Sequence, residues 1–132
     1  MNPVIHAKST AKRYGGEWQD YLAVHEWFDE TKKMIADARH RMVRHHAFGI
    51  YECMEKFGPV IVNSKGHEIP TRLIGEQHVR EDCGGMIPSL EQWAVNLKLE
   101  KWMNHTYPEN NVFDPANPRH KHHQTDNKEE PT

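Results

Sequence analysis

Between Tyr21 and Phe28 apolar side chains recur at helical spacing, with Tyr21, Val24 and Phe28 on one face and His25 beside them. Asp20 is placed to cap this helix. Asp29 is placed to cap a second one, with Glu30 in a first turn where negative charge is favoured. From Glu30 to Phe57 the apolar positions Ile35, Met42, Ile50, Cys53 and Phe57 form a stripe that predicts one long helix. Ala38 and Gly49 are its small members, and His46 lies on it four residues after Met42. A glycine inside a helix costs roughly 1 kcal/mol relative to alanine. Gly49 therefore points to a close approach by another backbone or a bound group. Gly58-Pro59 ends the helix.

The pattern then changes period. Val60-Ile61-Val62 and His67-Glu68-Ile69-Pro70-Thr71 flank Asn63-Ser64-Lys65-Gly66, which predicts a hairpin with Gly66 at positive φ and Pro70 on an edge strand. A third helix is expected over Leu73 to Cys83, stopped by Gly84-Gly85. A fourth follows Pro88, with Ser89 as cap, Leu90, Trp93, Ala94 and Leu97 facing inward, and Trp102 and Met103 closing the core. The expected fold class is α+β, mainly α: a compact helical domain of about four helices, with one β-hairpin inserted between the long helix and the third helix. Residues 1–16 are polar, end in Gly15-Gly16, and read as a flexible N-terminal arm. Residues 17–104 read as a single globular domain. From His105 the prolines and the run His120-Lys121-His122-His123 offer too little apolar surface to offset ordering entropy, so 105–132 is expected as a mobile His/Pro-rich tail.

Composition narrows the function classes. Lys+Arg number 17 against Asp+Glu 19, so no global field favours nucleic acid or an anionic membrane. The four tryptophans are not interleaved with basic residues in a strand, which also argues against nucleic acid. No apolar run is long enough to span a bilayer and the start lacks a signal-peptide core, so a cytoplasmic location and no membrane partner are expected. Cys53 and Cys83 lack the doublet spacing of a zinc ribbon or redox motif and read as free thiols in a reducing compartment. There is no Gly-rich phosphate loop, nucleophile elbow, HExxH, paired CxxC or His-Asp doublet.

Histidine is the anomaly, at 11 residues. The stretch Asp37–Ile50 places His40, His45 and His46 with Arg39, Arg41 and Arg44 inside the predicted long helix. His40 and His46 are six apart and cannot share one ion unless that helix is broken, while adjacent His45 and His46 point about 100° apart. His78 and Asp82 are four apart and face one way on the third helix. The best single metal site therefore takes His46, His78 and Asp82, with His25 in support and His45 as a neighbour, around a divalent metal such as Zn, Fe or Mn. Such an ion would serve hydrolysis of a phosphorylated or nucleotide-like substrate. Arg41 or Arg44, which share a face, would neutralise substrate charge, and Glu81 or His45 would move the proton. Two alternatives stand beside this. The histidines are structural, with His46 bonded to a carbonyl and His78–Asp82 a local pair. Or the chain is a non-enzymatic interaction protein that uses a Trp18/Tyr21 or arginine surface. The partner classes are thus an anionic small molecule or a host or bacterial protein.

Three segments together carry a resemblance: His25-Glu26-Trp27-Phe28-Asp29-Glu30-Thr31-Lys32, then Arg39-His40-Arg41 with His45-His46-Ala47-Phe48-Gly49-Ile50, then Gly75-Glu76-Gln77-His78-Val79-Arg80-Glu81-Asp82. Over about Tyr14 to Met103 the chain resembles a family of small uncharacterised proteins from bacteria and their phages. The resemblance implies that the polar positions of the three segments form one site, in the host cytoplasm if phage-encoded. It brings no activity, and the residues from His105 fall outside it.

Overall fold

A computed structural model describes residues 1–106. The chain separates into two units, Met1–Asn96 and Leu97–Thr132. The first contains helices α1 (Pro3–Tyr14), α2 (Leu22–Asp29), α3 (Ala47–Phe57), α4 (Thr71–Asp82) and α5 (Leu90–Ala94), and strands β1 (Val60–Val62) and β2 (Glu68–Pro70) between α3 and α4. Short 3-10 turns cover Trp18–Asp20, Glu30–Lys33 and Ala38–Val43. In the second unit the described residues include one 3-10 turn, Lys101–Asn104. This is the mainly helical class with an inserted hairpin that the periodicity predicts. Among the described residues no helix is long and apolar enough to cross a membrane. The expected tail, 105–132, lies almost entirely outside the described residues.

The segment expected as a flexible arm is instead α1. Asn2 caps it by accepting from the Ile5 amide at 3.0 Å, and Pro3 opens its first turn. Its buried face is His6, Ala7 and Thr10, so burial here leaves no apolar periodicity to read. The core proper combines Ala7 with Tyr21, Val24, Phe28, Ile50, Cys53, Ile69, Ile74 and Val79. Tyr21 is a core residue whose hydroxyl donates to the Gly15 carbonyl at 2.7 Å, so of the alternative Trp18/Tyr21 surface only the half-buried Trp18 remains. Ser89 caps α5 as expected, but α5 is short and leaves Leu90 exposed; Leu97 and Trp102, expected inside, are exposed as well.

The predicted long helix is broken. Asp37 is extended and accepts from both the backbone and the guanidinium of Arg39, a local pairing that competes with helix. The chain restarts at His46, an extended N-cap whose Nδ1 accepts from the Gly49 amide at 2.9 Å. A Cβ on Gly49 would sit 1.8 Å from the Arg44 carbonyl oxygen, so the close backbone approach that this glycine signals is real. The break frees His40 and His45 from the fixed faces of a continuous helix.

The hairpin pairs Val60 with Pro70, Ile61 with Ile69 and Val62 with Glu68, antiparallel. Gly66 turns it at φ +82°, and Asn63 Oδ1 accepts from the Lys65 and His67 amides. Asp20 caps no α-helix. It accepts from the Glu17 amide at 2.8 Å and the Ser64 amide at 2.9 Å, which ties the hairpin turn to the chain before α2.

Candidate metal centre

Three helices and one loop deliver titratable side chains to a common point. His6 comes from α1, His25 and Asp29 from α2, His78, Glu81 and Asp82 from α4, and His45 from the loop before α3. The two pairs His25/Asp29 and His78/Asp82 each have the four-residue spacing that stacks side chains on one helix face. All four histidine side chains are fully buried, and Asp82 keeps 2% of its side-chain surface. His78 Nε2 lies 3.3 Å from Asp29 Oδ1 and 3.3 Å from Asp82 Oδ2. His6 Nε2 lies 3.2 Å from Asp82 Oδ1, and His45 Nε2 lies 3.1 Å from Asp82 Oδ2.

The hydrogen-bond partners fix which nitrogens carry protons. Gln77 Nε2 faces two acceptors, the His6 carbonyl and Glu81 Oε1, both at 3.1 Å, so its amide cannot be reversed. Its Oε1 therefore accepts the Thr10 hydroxyl at 2.7 Å; that hydroxyl also lies 3.1 Å from the His6 carbonyl, a second group that can only accept. With its proton committed, Thr10 Oγ1 accepts from His25 Nε2 at 2.8 Å. His25 Nδ1 is then a lone pair, and the 2.8 Å contact to His78 Nδ1 requires the proton on His78. A neutral His78 consequently turns a lone pair at Nε2 towards both aspartates. His6 Nδ1 donates to Glu81 Oε1 at 2.7 Å, so neutral His6 likewise points a lone pair at Asp82.

Electron-rich atoms facing one another in a buried site require positive charge between them. Without a cation that charge is a proton: burial alone would raise the Asp29 carboxyl, but His78 in its charged, donating form, with His45, outweighs this and holds it below the usual range. Asp82 is likewise held far below the usual range, against burial, by His45, His6 and His78. Burial keeps His25 neutral, down to about 2, and His45 neutral, down to about 4. A divalent cation fits this donor set. Tetrahedral ligands at about 2.0–2.2 Å from an ion are separated by about 3.3–3.6 Å; His78 lies at such a spacing from one oxygen of Asp29 and one of Asp82, and His6 lies 3.2 Å from the other Asp82 oxygen. One donor atom from each of His6, Asp29, His78 and Asp82 falls within 4.8 Å of the others. The group His6, His25 and His78 meets the same limit, but the Nδ1 atoms of His25 and His78 bond each other. Meanwhile His6 Nε2, His78 Nε2 and Asp29 Oδ2 have no hydrogen-bond partner among the described residues.

Of the residues that the sequence singles out as ligands, His78 and Asp82 stand at this point. His25 stands one step behind, against His78. His46 does not join them: Nδ1 caps α3 and Nε2 bonds the Val43 carbonyl at 3.1 Å. Arg44 is also outside, donating to the Trp27 carbonyl and Glu30 and lying over the Trp27 ring at 4.1 Å. Arg41 is at the rim, donating to the Asp82 carbonyl at 3.2 Å. Glu81 is engaged by His6, Ser9 and Gln77. Sequence reasoning missed His6, Thr10, Asp29 and Gln77. The i,i+4 spacings His6/Thr10 and His25/Asp29, which repeat that of His78/Asp82, were the available signal. A groove of about 260 Å³ is lined by Ile50, Tyr51, Met54 and Ile87 with the Arg72–Glu76 pair, and holds none of the cluster.

No curated protein matches the chain, and no solved structure matches it. A family described as a domain of unknown function matches residues 1–103, which takes in α1 and every residue of the cluster. The chain, buried cluster included, belongs to that family, DUF6915.

Proposed function

We propose that this domain holds one divalent cation between His6, Asp29, His78 and Asp82, and that the ion serves hydrolysis of an anionic, phosphorylated substrate. The observation that carries the reading is His78 Nε2, buried without a hydrogen-bond partner among the described residues and 3.3 Å from a carboxylate oxygen on each side. Two imidazoles and two carboxylates suit zinc, iron or manganese. When bound, such an ion supplies positive charge and acidifies water beside it. Arg41 supports the choice of an anionic substrate. Its side chain is 27% exposed at the rim, its Nε has no partner among the described residues, and its guanidinium sits 3.8 Å from Asp82 Oδ1. His45, kept neutral by burial, sits beside Asp82 with Nε2 3.1 Å from Oδ2 and orients that carboxylate rather than taking up a proton.

The test uses untagged full-length chain in which His120→Asn, His122→Asn and His123→Asn remove adventitious binding. After dialysis, elemental analysis should find about one equivalent of metal, lost in His78→Ala. Free ion at about a thousand times Kd should stabilise the fold by about 4 kcal/mol. Substoichiometric metal with no stabilisation overturns the reading. Phosphomonoester turnover should need the metal and fall in Arg41→Ala. Metal binding without turnover removes hydrolysis and leaves the ion.

A further inference from the structure

The chain of hydrogen bonds behind His78 is longer than packing requires. It runs from a glutamine side chain through a threonine hydroxyl and a second imidazole before reaching the ring that faces the aspartates. Thr10, His25 and Gln77 are buried, and they come from three different helices. The direction of every link is set at the Gln77 end, where the His6 carbonyl and Glu81 hold the amide nitrogen. Reversing any link would set two lone pairs, or two protons, against each other at 2.7–2.8 Å.

We infer that Gln77, Thr10 and His25 are positioning residues that lock His78 in its Nδ1-protonated tautomer, so that Nε2 is presented to Asp29 and Asp82 as a ready ligand. The inference deepens the metal reading and rests on it only for its consequence, not for the lock itself. Metal-binding histidines are commonly oriented by a partner on the other ring nitrogen, and losing that partner costs about 10- to 100-fold in affinity. Here the partner is a neutral imidazole. It can donate or accept at Nδ1, so something must decide which, and Thr10 is that decision. Without the hydroxyl, His25 is free to carry its proton on Nδ1 and donate to His78. The His78 proton then moves to Nε2, where it blocks coordination.

The experiment is long-range ¹H–¹⁵N spectroscopy of the imidazoles in metal-free full-length protein at alkaline pH, with metal affinity measured in parallel. Wild type should show His78 protonated at Nδ1. Thr10→Val should move that proton to Nε2 and weaken zinc binding by about 10- to 100-fold, and Thr10→Ser should restore both. Wild-type His78 protonated at Nε2 overturns the inference outright, and this readout needs no variant to fold. A folded Thr10→Val with unchanged tautomer and affinity overturns it too. A locked wild-type tautomer with no metal bound at all leaves the lock standing and removes the metal reading instead.

Discussion

The apolar core and the histidine cluster are built by the same helices to the same depth, yet they close differently. From α2, Val24 and Phe28 enter the core while His25 and Asp29 enter the cluster. From α4, Ile74 and Val79 go one way and His78 and Asp82 the other. The Phe28 ring stacks on His78 at 4.7 Å and 18°, and marks the border. On the core side, carbon meets carbon and dispersion with water exclusion completes the contact. On the cluster side, His6 Nε2, His45 Nδ1, His78 Nε2 and Asp29 Oδ2 are buried without a partner among the described residues. An orphaned atom costs about 1–3 kcal/mol, and less at His6 Nε2 and His78 Nε2, which lie 3.2–3.3 Å from carboxylate oxygens. Burial alone therefore does not settle what a buried region contributes. The core stabilises the fold under all conditions, whereas the cluster does so conditionally, on its protons and, under the proposed function, on a cation.

The largest expected effect separates the two. Ile74 is fully buried, and Ile74→Ala should cost about 2–5 kcal/mol, by the same amount with and without added metal. Asp29→Asn should do the reverse: little loss in metal-free protein, because a buried charge goes, but no stabilisation by metal. Urea unfolding of both variants, with and without zinc, reads this directly. A metal-dependent penalty for Ile74→Ala, or a surviving metal increment in Asp29→Asn, would erase the distinction between core and cluster.

Acid is the next lever. His25 and His45 have folded values lowered to about 2 and about 4, from 6.5. Below 6.5 the unfolded chain takes up protons that the folded rings refuse, so stability falls with pH. Each ring contributes up to about 1.4 kcal/mol per pH unit until its own folded value is reached. His6 works the other way. Burial opposes its charge, but Asp82 and Glu81 outweigh burial and raise it. Its contribution is full below its unfolded value and fades as pH rises through the folded one. Asp29, Glu81 and Asp82 are depressed, so their contributions are present above the ordinary carboxylate range and fade as pH falls towards their folded values. In metal-free protein, stability should thus drop by on the order of 2 kcal/mol between pH 7 and pH 5. His45→Gln should flatten that drop, whereas Ile74→Ala should shift the curve down without changing its slope. A slope unchanged in His45→Gln removes this ring as a source.

The same contrast explains what could be read from the sequence. Core elements advertise themselves: Val24 and Phe28, and Ile50 and Cys53, keep apolar helical spacing, and Asn63–Gly66 carries its turn chemistry. The cluster half of each helix has no hydropathic signature. Helix α1, whose inward face is His6, Ala7 and Thr10, therefore reads as a polar arm. His78 and Asp82 were legible because their spacing is local. Asp29 reads in sequence as a cap, a role that its side chain does not play. The break after Lys33 was illegible for a related reason. Asp37 and His46 end and start elements through side-chain bonds to the backbone, and in sequence these residues look like members of a continuous helix.

His46 gives the smallest effect. It lies outside the cluster and caps α3, its Nδ1 accepting from Gly49. Asparagine is a strong N-cap and alanine a poor one. His46→Asn should therefore stay within a few tenths of a kcal/mol of wild type, and His46→Ala should lose about 1 kcal/mol. Metal content should be the same in both. Thermal unfolding together with elemental analysis separates the two roles, because a ligand would fail in both variants and a cap fails only in alanine. Loss of metal from folded His46→Asn would move the centre towards α3 and break the line drawn here between a self-sufficient core and a conditional one.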